Sequence, residues 1–338
     1  MKGTKQMMSK KACSKYTSIG GQAVIEGIMM KGPKKSVLSV RLPDGDILTE
    51  DVTKVPLKEK YKCLGWPLLR GVAGFIESMA TGYKILMRSA ELAATEEEEK
   101  TEKQKEEKTP KEKKKEENSN GIFALVATLA SILGIALSVV IFFYIPSLLF
   151  NLLKSYTGEG IAGYRGLIEG MMKFIMFISY IWVVSLMKEI HRVFQYHGAE
   201  HKSIFCYEAR EELTVENVRK QSRFHPRCGT SFMILMIVVG ITISTIVIKC
   251  FPGLTTNIVT WVFFKILLIP VFCAFGYELL KLCGKYDNIF TKIISAPGLW
   301  VQRLTTKEPE DSMIEVAIAA LKEVIPETEE NKDVCADS

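Results

Sequence analysis

The chain has 338 residues, 48% of them hydrophobic and 24% charged, with a formal net charge of +6 and a mean hydropathy of +0.14. The apolar residues arrive in blocks long enough to cross a bilayer, which argues against an all-soluble chain. Eight cysteines (Cys13, Cys63, Cys206, Cys228, Cys250, Cys273, Cys283 and Cys335) are scattered without paired spacing, which argues against a disulfide-framed secreted domain.

Residues 1–16 are basic and polar and read as a disordered N-terminus. No apolar core precedes residue 121, so the start does not read as a secretory signal peptide. Residues 17–64 read as a small cytoplasmic β-rich module. The runs 37–42 and 47–52 are β-prone, and Pro43, Asp44, Gly45 and Asp46 between them predict a tight hairpin turn. Upstream, 20–33 is rich in glycine at both ends, a pattern that brings backbone close to another surface.

Residues 65–94 read as an amphipathic interfacial helix entered through Trp66 and Pro67. Arg70, Glu77, Lys84 and Glu91 recur every seven residues and form one polar stripe on an otherwise apolar cylinder. Residues 95–120 hold ten glutamates and eight lysines and no apolar side chain to bury, so they read as a charged linker.

Residues 121–285 read as a four-span membrane domain, with spans at 121–150, 166–187, 230–248 and 258–282. The intervening stretch 188–229 carries eight Lys and Arg, the 151–165 connection two and the 252–257 connection none. The excess of positive charge places 188–229 and both termini on the cytoplasmic side of the membrane. The net charge is a topology signal, since no aromatic-interleaved basic patch points to nucleic acid. Within the spans, Glu169 and Lys173 are spaced to neutralise each other, Lys265 is placed to snorkel, and Glu278 falls near the inner interface. Residues 286–338 form a cytoplasmic C-terminal segment, broken at Pro297 and Gly298, with a short amphipathic docking helix at 311–325.

All four histidines fall between His191 and His225. If 188–208 continues as helix, His197 and His201 share one face a turn apart, the spacing by which two imidazoles grip one metal ion. With Glu200 they make an H-x-x-E-H pattern, in which the carboxylate activates a metal-bound water. His225 and Cys228 are the candidates to complete the shell. Four ligands make a closed structural zinc site, whereas three plus water make a catalytic one, and the spacing leaves this open. A polar loop with histidines at headgroup level is the plain alternative. Cys206 near a histidine suggests a thiol nucleophile, but nothing in the sequence supplies a paired base.

The glycine-rich run 20–33, the segment 69–78, Tyr196 through Lys202 and the stretches 213–218 and 222–231 resemble the YqhQ-like family of bacterial membrane proteins, over roughly 18–305. That resemblance implies a domain of unknown function, described at times as a predicted metal-dependent enzyme. Its motif residues here are His197, Glu200, His201, His225 and Cys228.

The expectation is a mainly α membrane protein with about four transmembrane helices, an amphipathic helix and a small cytoplasmic β-containing module. Its function is read as a metal-dependent hydrolase, with zinc or another divalent transition metal on His197, His201, His225 and Cys228 and with Glu200 as base. The alternative is a non-enzymatic membrane scaffold or biogenesis factor that docks a membrane or cytoplasmic protein partner on the histidine loop. The bilayer is the expected partner in either case.

Overall fold

The computed structural model describes residues 17, 19–55, 61–66, 69–94, 129, 132–226, 228–285 and 288–326. The expected disordered start at 1–16, the charged linker at 95–120 and the opening of the first expected span lie outside them.

The N-terminal module is a four-stranded antiparallel sheet, β1 (Gly20–Val24), β2 (Gly27–Lys31), β3 (Ser36–Arg41) and β4 (Ile47–Asp51), in the order β1-β2-β3-β4. The expected β3–β4 hairpin is present. Gly45 supplies the left-handed backbone, at φ 97°, and the Asp44 carboxylate accepts from the Asp46 N–H. The glycine-rich segment upstream is itself a hairpin, which its composition did not announce. Its two-residue turn uses Ile25 and Glu26, and Glu26 sits at φ 49°, a region that non-glycine residues seldom adopt. Arg192 holds this strained residue through two 2.5 Å bonds to the Glu26 carboxylate, and the Tyr196 hydroxyl donates a third.

Both faces of β3 are buried, so the sheet is a middle layer. Helix α1 (Leu69–Ala93) covers one face, where Ile85 packs on Val24, Leu38 and Val40. The other face packs on the last helix among the described residues through Ile28, Met30 and Val37. At its far end, α1 meets the apolar helices, where Arg70 forks onto Glu278 at 2.5 and 2.7 Å. This engages the carboxylate expected at the inner interface.

The apolar helices follow. Helix α2 (Ile132–Thr157) contains a π-helical turn at Val140–Tyr144, and Pro146 enters directly after it. The widened turn absorbs the hydrogen bond that proline cannot make. The helix therefore runs seven residues past the expected end at Phe150. A 3-10 turn (Glu159–Tyr164) leads into α3 (Arg165–Val184). The chain then breaks at residues 185–187, so α4 (Lys188–Glu208) is helical as expected but is a separate helix and not a continuation of the span. Short α5 (Val215–Lys220) is capped by the Thr214 hydroxyl. Helix α6 (Gly229–Cys250) is followed by α7 (Ile258–Leu267) and α8 (Ile269–Lys285), which bend by 44° where Pro270 breaks the backbone ladder. Among the described residues three helices are long and apolar enough to cross a membrane, or four if α7 and α8 form one bent span.

Two expectations about charges inside the spans are corrected. Lys265 does not snorkel: it is 1% exposed and its ammonium lies 2.7 Å from Glu169. Glu169 pairs with Lys265 and Arg165, and Lys173 instead lies against the Phe143 ring. Helical spacing brings Glu169 and Lys173 near each other, but a packed neighbour offers the carboxylate better-placed donors.

Helix α9 (Ile289–Thr305) runs straight through Pro297 and Gly298, where a chain break was expected. Gly298 lies so close to Ser231 of α6 that a Cβ there would sit 2.6 Å from its hydroxyl, so this pair packs helix on helix. Helix α10 (Asp311–Val324) is the docking helix of the expectation, and its partner is this same chain. Met313, Ile314, Ala317 and Leu321 are fully buried between the sheet and α4.

Candidate metal centre

Helix α4 is buried from Tyr196 to Ile204 almost without interruption apart from His197, although it carries Glu200, His201 and Lys202. The helix is approached from two sides. Residues 306–309 cross at Gly198, where any Cβ would overlap the Lys307 carbonyl. Strand β1 crosses at Glu200, whose carboxylate is 3.1 Å from where a Gly21 Cβ would stand and accepts the Gly21 N–H. Gly198 therefore gives up helix propensity in exchange for close packing.

His197 and His201 lie one turn apart as expected, with ring centroids 4.4 Å from each other. Each ring has its Nδ1 against a backbone carbonyl: His197 on Thr305 at 2.8 Å, His201 on Arg223 at 2.6 Å. A carbonyl can only accept, so each Nδ1 carries the proton and each Nε2 faces inward. This is the outer-shell arrangement that orients metal-binding histidines. Cys228, the N-cap residue of α6, places its sulfur 3.1 Å from His197 Nε2. Ligand atoms of His197, His201 and Cys228 all lie within 4.8 Å of one another. Two nitrogens and a sulfur on one zinc would stand about 3.3–3.6 Å apart, so small side-chain rotations close the set around an ion.

Charge is concentrated here. Burial disfavours a thiolate at Cys228, but His197 and His201 beside it reverse that and hold the thiol well below its usual range. The position at the start of α6 acts in the same direction. Burial likewise disfavours a charged His197, but the Cys228 sulfur and Glu200 raise it to about 9. The two shifts are mutual, each group favouring the charged form of the other. Glu200, 5% exposed, is raised above the ordinary carboxylate range by burial, against the pull of both histidines. A buried carboxyl held above the ordinary carboxylate range beside two histidines and a cysteine is the kind of group suited to acid–base work.

His225 does not join the group. Its Nε2 lies 3.8 Å from the Glu208 carboxylate, and its ring packs on Phe205. The Gln302 side chain clamps its backbone, accepting from His225 N–H at 2.8 Å and donating to the His225 carbonyl at 2.7 Å. Cys206 is also apart: its thiol points at the carbonyls of Glu211 and Glu212, and burial raises it to about 11, an inert state. Nothing in the side-chain pattern signals the Thr305 and Arg223 carbonyls or the Gln302 clamp. Glu308 is a further such participant. It binds Lys202 at 2.9 Å and Arg223 at 2.6 Å, tying the 306–309 crossing to both sides of the site.

Residues 66–327 match the family described as "Protein of unknown function (DUF1385)". The chain is 37% identical over 311 residues to "Uncharacterized protein YqhQ" of Bacillus subtilis (strain 168), covering 90% of this chain and 92% of that protein. No solved structure matches it.

Proposed function

The chain belongs to the DUF1385 family of proteins of unknown function, and from that premise we propose an integral membrane protein of the bacterial cytoplasmic membrane with a metal-dependent hydrolase site on its cytoplasmic side. His197, His201 and Cys228 hold a divalent transition metal, zinc being the best match to two imidazoles and a thiolate. The observation that carries this reading is the paired Nδ1–carbonyl contacts, which leave both Nε2 atoms directed toward the same sulfur. Three protein ligands leave a fourth position for water or substrate. With a metal held there, Glu200, next to His201 on the same helix, would be the group placed to hold and return a proton, and the ion would supply Lewis-acid activation. The side of the membrane follows from the eight Lys and Arg of 188–229.

A scaffold or biogenesis role is the second reading, and one observation favours it. Cys228 and His201 are nearly inaccessible and sit where α4, α6 and α9 meet, as the ligands of a structural site would. Metal analysis of the purified full chain, wild type and Glu200→Gln, tests the proposal. About one ion per chain is expected in both, with zinc-dependent hydrolysis of a generic ester substrate panel in the wild type only. Absence of metal from wild type after zinc loading removes the proposal, whereas equal metal with no activity in either form favours the scaffold.

A further inference from the structure

The apolar helices bury a second set of charged groups, remote in sequence from the histidines. Arg165 is 4% exposed, Glu169 3% and Lys265 1%. Glu169 holds both cations. Its Oε1 accepts from Arg165 Nε at 2.9 Å and its Oε2 from Lys265 Nζ at 2.7 Å, and the Trp261 indole donates to it at 3.1 Å. Lys265 also donates to Ser147 at 2.7 Å. The Arg165 guanidinium lies between the rings of Phe150 and Trp261, 5.1 and 5.9 Å from their centroids, and its Nη1 donates to the Thr255 carbonyl at 3.0 Å. Its Nη2 is buried and has no hydrogen-bond partner among the described residues.

The charges do not balance. Across 121–187 and 229–277 the only carboxylates in the sequence are Glu159 and Glu169. Glu159 is exposed and pairs with Lys154 at 2.8 Å. Glu169 alone therefore faces Arg165, Lys265 and the half-buried Lys173, whose ammonium lies 4.3 Å from the Phe143 ring on the π turn of α2. Buried cations persist in apolar surroundings only when paired or when they serve a polar ligand. A guanidinium nitrogen left over after Glu169 and Thr255 are served is a spare donor of the kind that binds oxyanions.

We propose that this end of the helical bundle binds a phosphate group, seated on Arg165 Nη2 in the field of Lys265 and Lys173. The surroundings favour a phosphodiester carried by a lipid. Leu148, Leu149 and Leu152 of α2 and Leu167 and Met171 of α3 are exposed on the same helices, a surface that acyl chains cover. Free phosphate offers the same oxygens without the chains.

The full-length protein in a non-ionic detergent is titrated with phosphatidylglycerol, with inorganic phosphate and with diacylglycerol, and its thermal unfolding is followed. Phosphatidylglycerol is expected to raise the melting temperature and diacylglycerol to leave it unchanged. An equal response to inorganic phosphate supports the site with free phosphate as its source. Two variants report on the location. Arg165→Lys keeps a cation beside Glu169, and so the fold, but lacks the forked donor. Lys173→Met removes the cation against Phe143. Each is expected to need at least tenfold more phosphatidylglycerol for half its effect. No shift with either phosphate source, a shift with diacylglycerol, or wild-type half-saturation in either folded variant overturns the proposal.

Discussion

Gly198 and Lys307 touch through backbone alone: the Lys307 carbonyl occupies the space where a Cβ at 198 would be, and the Lys307 N–H bonds to Phe194 at 2.8 Å. On an isolated helix Gly198→Ala would gain about 1 kcal/mol. Here the substitution is expected to cost at least about 2 kcal/mol, because the overlapping partner is backbone and must move. Thermal unfolding of the purified variant measures this, and a stabilised G198A would contradict the packing described.

The histidines separate by role. His197→Ala, His201→Ala and Cys228→Ser are each expected to reduce bound zinc at least tenfold, since each removes one of the three proposed ligands. His225→Ala is expected to keep the metal and lower the melting temperature, because its buried ring packs on Phe205 and His201 without entering the ligand set. Metal content and melting temperature, read on the same samples, distinguish the two groups. Loss of metal in H225A would return His225 to the shell.

The Glu26 turn is pH-sensitive in a stated direction. Hydrogen bonding to Arg192 holds the Glu26 carboxyl below its usual range. Its stabilising effect is therefore complete above the unfolded carboxyl value near 4.5 and is lost as pH falls through the lower folded value. The ion pair is partly exposed, so Glu26→Gln is expected to cost only about 1 kcal/mol at neutral pH. The difference from wild type should shrink below pH 4.5, and a gap that widens on acidification would show that the residue acts by other means.

Glu169 is expected to be the most sensitive charged position among the apolar helices. Glu169→Gln leaves Arg165 and Lys265 without their shared carboxylate, a class of change that costs about 3–5 kcal/mol. Lys265→Met removes one of two cations and leaves Glu169 paired with Arg165, so it should be milder. Detergent-solubilised melting temperatures rank the two, and the reverse order would mean that Lys265, not Glu169, organises the cluster.

Topology is tested by cysteine labelling in intact cells. Gly158→Cys is expected to react with an impermeant reagent and Thr214→Cys to be protected, as the distribution of Lys and Arg dictates. External labelling at 214 would invert the arrangement.

Where side-chain period decides the structure, the sequence was readable. The i,i+4 pair His197 and His201, the Gly45 hairpin and the amphipathic helix at 311–325 follow from spacing and turn chemistry. The long apolar helices are legible from hydropathy, with the end of α2 displaced past a π turn and a bend at Pro270 that hydropathy does not signal. The rest depends on groups with no local signature. The β1–β2 turn uses Ile25 and Glu26, which no turn preference selects, and is held by Arg192 from 166 residues away. The imidazoles are oriented by main-chain carbonyls that every residue possesses. His225 has the right chemistry for a ligand, but the Gln302 amide pins its backbone where the ring meets Glu208.

The sheet of residues 20–51 is closed by a helix that begins at Asp311, with all the apolar helices lying between them in the chain. During synthesis at about 5–20 residues per second, the roughly 260 intervening residues take about 10–50 s to emerge. Through that interval Ile28, Met30 and Val37 lack the surface that finally buries them. The candidate ligands wait as well, because Thr305, which orients His197, is made just before that helix. The ribosome must therefore finish nearly the whole polypeptide before either the sheet or the histidine cluster is complete. A chain truncated ahead of residue 305 would carry every candidate ligand and still lack the carbonyl that aims the first of them.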